Sequence, residues 1–235
     1  IGVTGVQTCA LPILTSLTTT TTQVAITTVT TSTGSTKVPG YSDVLTTDWF
    51  YRDFAQAQAA EVVTPSADNR FRPYSKVSRA LFTTYLVRTM APGELQRQLV
   101  VASSEPTFGD VSGDYWAYNE IETAARLGLV LGTGDGTNFS PDDLVSRAQM
   151  ATMICRALGF DINDGWAGRA AAAHLLYGDV NPGYWAQGAI AMVDYLGLMC
   201  GDTNGCFRPL ESTTRAQAVT VMARLLRLLE GGAGS

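Results

Sequence analysis

Histidine is nearly absent from this chain: His174 is the sole example among 235 residues. That excludes a histidine-rich metal centre, and no nucleophile motif accompanies His174 to suggest a Ser-His-Asp arrangement. His174 lies in the run RAAAAHLL and reads as a helix surface or packing position. Cysteine is scarce as well. Cys9, Cys155, Cys200 and Cys206 are too scattered for a disulfide scaffold, and they form no CxxC pair with matching histidines. Cys200 and Cys206 flank the loop CGDTNGC, where they either close a small disulfide ring or stay reduced beside a turn. Charged residues make up only 16%, with a formal net charge of −5. Nucleic acid and anionic membrane surfaces are therefore poor partners, and any bound anion must be held by a few placed cations. No apolar run approaches the ~20 residues that span a bilayer, so no membrane span is expected. Neither a metal nor a cofactor is expected.

The N-terminal region divides from the rest by composition. Residues 1–13 read IGVTGVQTCALPI, and from Val3 onward they look like an in-frame translation of a sequencing-library adapter. They lack the basic start of a signal peptide, and Pro12 interrupts the short apolar run. Residues 1–14 are therefore expected to be non-native. Residues 15–40 are rich in Thr, Val and Ser. The tract reads as a disordered linker, or else as the frayed last strand of an upstream domain. Either way, a passenger domain is expected on its N-terminal side.

What the chain has in abundance is internal repetition. YSDVLTTDWFYRDF from Tyr41, FGDVSGDYWAYNEI from Phe108 and YGDVNPGYWAQGAI from Tyr177 align without gaps. Each carries an Asp-Val pair at Asp43, Asp110 and Asp179, and a tryptophan six residues later at Trp49, Trp116 and Trp185. A Phe-x-Pro signal follows at Phe71, Phe139 and Phe207. Six residues beyond each proline stands an Arg-Ala pair, at Arg79, Arg147 and Arg215. A second arginine recurs nine residues later, at Arg88, Arg156 and Arg224. The copies are placed at residues 41–94, 108–160 and 177–229.

Each copy reads as helix, loop, helix. After the tryptophan comes an amphipathic stretch, in which Trp116, Ile121, Ala124, Ala125 and Leu127 share one face. Gly128 and Gly197 end that helix by supplying the left-handed conformation. Turn-rich loops follow, LVLGTGDGTNFSPDD in the second copy and LMCGDTNGCFRPLES in the third. Ser146 with Gln149, and Thr214 with Gln217, form capping boxes for the second helix. The first copy has Leu81 at that position, so its cap is half built. Beyond the caps, Met150, Met153, Ile154, Ala157 and Leu158 keep helical spacing, as do Ala218, Val221, Met222, Leu225 and Leu226.

WAYNEI, DGTNFSP and VSRAQ in the second copy, with YWAQGAI, NGCFRP and TTRAQ in the third, resemble the S-layer homology repeat. The resemblance implies an all-α fold, with three helix-loop-helix repeats in a compact pseudo-threefold bundle and grooves between neighbours. It also implies binding of a cell-wall polysaccharide, often one carrying a pyruvate ketal, or of modified peptidoglycan. The usual outcome is tethering of a surface protein to a bacterial envelope.

The residues themselves support a groove that takes an acid. Arg79, Arg147 and Arg215 stand in the first helical turn, where the macrodipole disfavours a cation by roughly 0.3–1 kcal/mol. Repetition of that penalty points to an anion. One reading is a ligand carboxylate held by the guanidinium fork and the first-turn amides. The other is a pair with Asp43, Asp110 or Asp179 that locks one repeat to the next. Trp49, Trp116 and Trp185 read more readily as core than as sugar platforms, although an open face would stack on a pyranose. Gly132 and Gly201 are candidates for close backbone approach to a sugar, and the first copy, with AAEVVTPSADNRFRP, has no glycine there. Arg88, Arg156 and Arg224 lie mid-helix and read as solvated or ion-paired. An enzyme is not expected, because no carboxylate pair stands out for acid–base work on a sugar. The GTGDGTNFSPDD loop lacks the alternating ligands and closing glutamate of an EF-hand. The alternatives are a module for protein–protein assembly in a surface layer without glycan binding, or the anchor region of a larger surface glycoside hydrolase.

Overall fold

The computed structural model describes residues 36–91, 105–160 and 177–232. Cys9, His174, the adapter-like segment and most of the Thr-rich tract lie outside the described residues. Within them, each repeat supplies two helices. These are α1 (Tyr51–Ala59) and α2 (Arg79–Met90), α3 (Tyr118–Arg126) and α4 (Arg147–Ala157), then α5 (Gln187–Tyr195) and α6 (Arg215–Gly232). The fold is all-α, and the extended pieces among the described residues make only isolated bridges.

The first helices end as their glycines require. Gly128 and Gly197 hold φ of +70° and +67° just past α3 and α5. The N–H two residues beyond each cap returns to the preceding turn, Leu129 N to Ala124 O at 2.8 Å and Leu198 N to Val193 O at 2.9 Å. The first repeat closes α1 in the same way, with Val62 N to Ala57 O at 2.9 Å, but puts Glu61 at the left-handed position with φ +58°. The second helices start on their caps. Ser146 and Gln149 complete a reciprocal box, whereas Ser78 only accepts from Leu81 N. Thr214 N donates to Gln217 Oε1 at 3.0 Å, and Gln217 N returns to Thr214 Oγ1 at 3.3 Å.

The repeats close into a ring. The second helix of each packs on the first helix of the next: α2 on α3, α4 on α5, and α6 back on α1. On this last seam Arg227 reaches Asp53 at 3.0 Å and Gln56 at 2.6 Å. Inside the ring α2 packs against both α4 and α6. The residues leading into the second helices pair cyclically, Ser78 with Leu144, Ser146 with Ser212, and Lys76 with Thr214. Phe71, Phe139 and Phe207 are fully buried, one per repeat, within one continuous apolar core. The shared face expected for the second copy needs correction. Ile121 and Ala124 are buried, but Trp116 and Leu127 are 58% and 48% exposed.

Candidate functional site

The Asp-Val carboxylates build the loops. Asp110 accepts from Phe139 N and Ser140 N, both at 2.7 Å. Asp179 does the same for Phe207 N at 2.8 Å and Arg208 N at 2.7 Å. Asp43 takes Phe71 N at 2.7 Å and Arg72 N at 2.8 Å. The clamp goes with a left-handed residue between the Phe and the Pro, at Arg72, Ser140 and Arg208, with φ of +54°, +56° and +59°. The pairing of first-turn arginines with these aspartates, one of the two readings of the sequence, is not what forms.

Those arginines grip the next repeat's loop through its carbonyls. Arg79 Nε donates to Phe139 O at 2.8 Å and its Nη2 to Leu131 O at 3.2 Å. Arg147 repeats this with Phe207 O and Cys200 O, both at 2.7 Å. Each guanidinium also lies over the buried ring, Arg79 at 4.7 Å from Phe139 and Arg147 at 4.4 Å from Phe207. Burial lowers the pKa of both arginines from the usual guanidinium value, partly offset by Asp143 and Asp110 at Arg79 and by Cys200 and Glu211 at Arg147. Arg215 sits over Phe71 at 5.1 Å, yet its buried Nε finds no acceptor among the described residues.

The first-turn amides are also taken, which corrects their expected role as part of an anion cradle. Arg79 N donates to Asp143 O and Ala80 N to Pro141 O. Arg147 N and Ala148 N use Glu211 O and Pro209 O, while Arg215 N and Ala216 N use Ser75 O and Pro73 O. The helix mouths serve the ring seam.

Two open grooves lie beside these grips. The first, of about 290 Å³, gathers Arg79, the loop from Val130 to Gly134, the α4 residues Gln149, Thr152, Met153 and Arg156, and Trp185. All three repeats therefore contribute to it. The second, of about 530 Å³, is lined by Arg147, Lys76, Gln217 and the loop from Cys200 to Asn204. Trp185, expected more readily in the core, is 58% exposed; Trp49 and Trp116 are open too, at 43% and 58%. Each of these tryptophans packs beside the aromatic ring next to it in the chain, as with Trp185 tilted against Tyr184 at 5.7 Å.

Gly132 and Gly201 line these grooves, but their close neighbours are internal. A Cβ on Gly132 would stand 2.3 Å from Gly136 O, and one on Gly201 would stand 2.2 Å from the Tyr177 ring. Of the mid-helix arginines, Arg88 pairs with Glu120 at 3.2 Å and Arg224 donates to Leu198 O at 3.1 Å. Arg156 instead faces the first groove, a placement that its spacing alone did not suggest. Among the described residues Cys155 and Cys206 are free thiols; burial pushes Cys155 up to about 12, whereas Cys200 and Cys206 line the second groove.

A family model described as the S-layer homology domain matches residues 40–80, 107–151 and 176–219. The chain belongs to the S-layer homology family. Membership makes it a cell-surface anchoring module that binds cell-wall polymers. It is 31% identical over 186 residues to an endoglucanase of Bacillus sp. (strain KSM-635), covering 79% of this chain and 18% of that protein. It is 30% identical over 161 residues to cell surface glycoprotein 1 of Acetivibrio thermocellus, covering 67% of this chain and 7% of the relative. A cellulosome-anchoring protein of the same organism is 28% identical over 156 residues, covering 66% of this chain and 33% of its own length. The chain thus spans a minor part of each of these relatives. No helix among the described residues is long and apolar enough to cross a membrane.

Proposed function

We propose that this module holds an adjoining passenger domain on a bacterial envelope by taking an acidic cell-wall polysaccharide into the two open grooves. The observation that carries the reading is the convergence of cations and an exposed indole in one cleft, with Arg79, Arg156 and Trp185 contributed by three different repeats. An indole face 58% exposed suits stacking on a pyranose. Arg156 is the groove's adaptable cation, because Arg79 is only 5% exposed and already spends two N–H groups on carbonyls. In the second groove Arg147 has used two of its five N–H donors. The rest are left for a carboxylate such as a pyruvate ketal, with Gln217 and Lys76 beside them. Asp110 and Asp179 support binding indirectly, by fixing the loops that form the groove walls. The relatives named as an endoglucanase and a cellulosome-anchoring protein fit a module that serves different cargoes.

Sedimentation with purified wall material tests this, with soluble wall polysaccharide as competitor. Trp185→Ala combined with Arg156→Gln is expected to weaken retention at least tenfold while circular dichroism stays unchanged. Retention equal to the parent, or indifference to the competitor, overturns the reading and favours assembly through protein contacts.

A further inference from the structure

The seam between the third and first repeats departs from the other two. Arg79 and Arg147 each donate Nε to the carbonyl of the buried phenylalanine in the next repeat. Arg215, their counterpart, leaves Nε buried without a partner among the described residues. Two phenols of the first repeat share that condition. Tyr41 and Tyr85 are 3% and 2% exposed, and neither hydroxyl has a hydrogen-bond partner among the described residues. Tyr41 and the Arg215 guanidinium both pack on the Phe71 ring, at 6.3 Å and 5.1 Å from its centroid. Tyr41, Tyr85 and Arg215 lie within electrostatic reach of one another, though none hydrogen-bonds to another.

The other copies differ at these positions. Six residues after Arg79 comes Tyr85; six after Arg147 and Arg215 come Met153 and Val221, which line open space. Tyr41 corresponds to Phe108, which has no hydroxyl, and to Tyr177, whose hydroxyl bonds Asp194 and Gly201 N. Among the described residues, only the first copy presents two orphaned phenols beside a first-turn arginine.

We propose that this seam encloses a small monovalent anion, chloride in practice, held by the two phenolic O–H groups and Arg215 Nε. Three buried donors without an acceptor, one of them on a cation, leave desolvation uncompensated until an acceptor carrying negative charge joins them. The phenols stay protonated donors, because burial raises both and takes Tyr41 to about 12. Their near-complete burial shuts out a carboxylate that trails a sugar, so the acceptor has to be small. The site is independent of the glycan grooves.

Two measurements decide the matter. Crystals grown without chloride and soaked in bromide should show an anomalous peak between the two phenolic oxygens and Arg215 Nε; no peak there, with water in its place, overturns the proposal. In solution, sodium bromide should stabilise the chain against urea relative to sodium gluconate at equal ionic strength. A tenfold rise in halide above the dissociation constant shifts the folding equilibrium by about tenfold. Tyr41→Phe with Tyr85→Phe keeps both rings and should abolish the halide dependence. Equal stability of the parent in the two salts, with the double variant more stable in both, would mean that the hydroxyls are simply unsatisfied.

Discussion

Glu61 stands where Gly128 and Gly197 stand in the sister repeats, with φ +58° and its side chain exposed. An L-residue in that region costs roughly 1–2 kcal/mol, part of which glycine returns through its freer unfolded chain. Glu61→Gly is expected to stabilise the chain by about 0.5–1 kcal/mol, read as a higher urea midpoint. Arg147 gives the opposite outcome. Two carbonyl bonds and a face-on ring contact tie it to the third repeat. Arg147→Ala should therefore lose about 2–3 kcal/mol of stability as well as wall binding, both measurable on one sample. The buried tyrosines set an alkaline limit. Burial pushes the Tyr41 phenol up to about 12 from its ordinary 10.0. Its folded value is raised, so the stability is whole below pH 10 and falls as pH climbs from 10 towards 12. Tyr41→Phe should flatten that part of a urea midpoint against pH curve.

At the scale of the element, the unit is a loop pinned from both sides. Its own repeat supplies an aspartate that accepts two N–H groups, and the preceding repeat supplies an arginine that donates to two carbonyls. The aspartate spacing was plain in the sequence, but its partner was not. Hydrogen bonds to backbone leave no matching residue type to search for, so the two oppositely charged motifs invited a salt bridge. Asp110→Ala strands Phe139 N and Ser140 N and removes the support for the left-handed Ser140. The expected loss is about 2–4 kcal/mol, with the greatest rise in amide exchange across residues 131–140.

For the whole molecule, closure is the organising fact. The α6 helix packs on α1, so the last repeat completes the first. A chain ending before Arg215 would leave α1 and Phe71 without their covers. It is expected to unfold with a broad, weakly cooperative urea transition, where the full ring gives a single sharp one. The grooves also exist only at this scale, because Trp185 and Arg79 meet across more than a hundred residues of sequence.

The sequence alone determined the three copies, the helix starts and the helix stops. Caps, left-handed glycines and apolar spacing act within a few residues, and their signals therefore lie side by side in the chain. Tertiary structure decided where each first-turn arginine spends its donors, which tryptophans stay open, and which seam fills with tyrosine. Those outcomes depend on groups from different repeats meeting around a closed ring, and on which of several equivalent acceptors is nearest once the ring has closed.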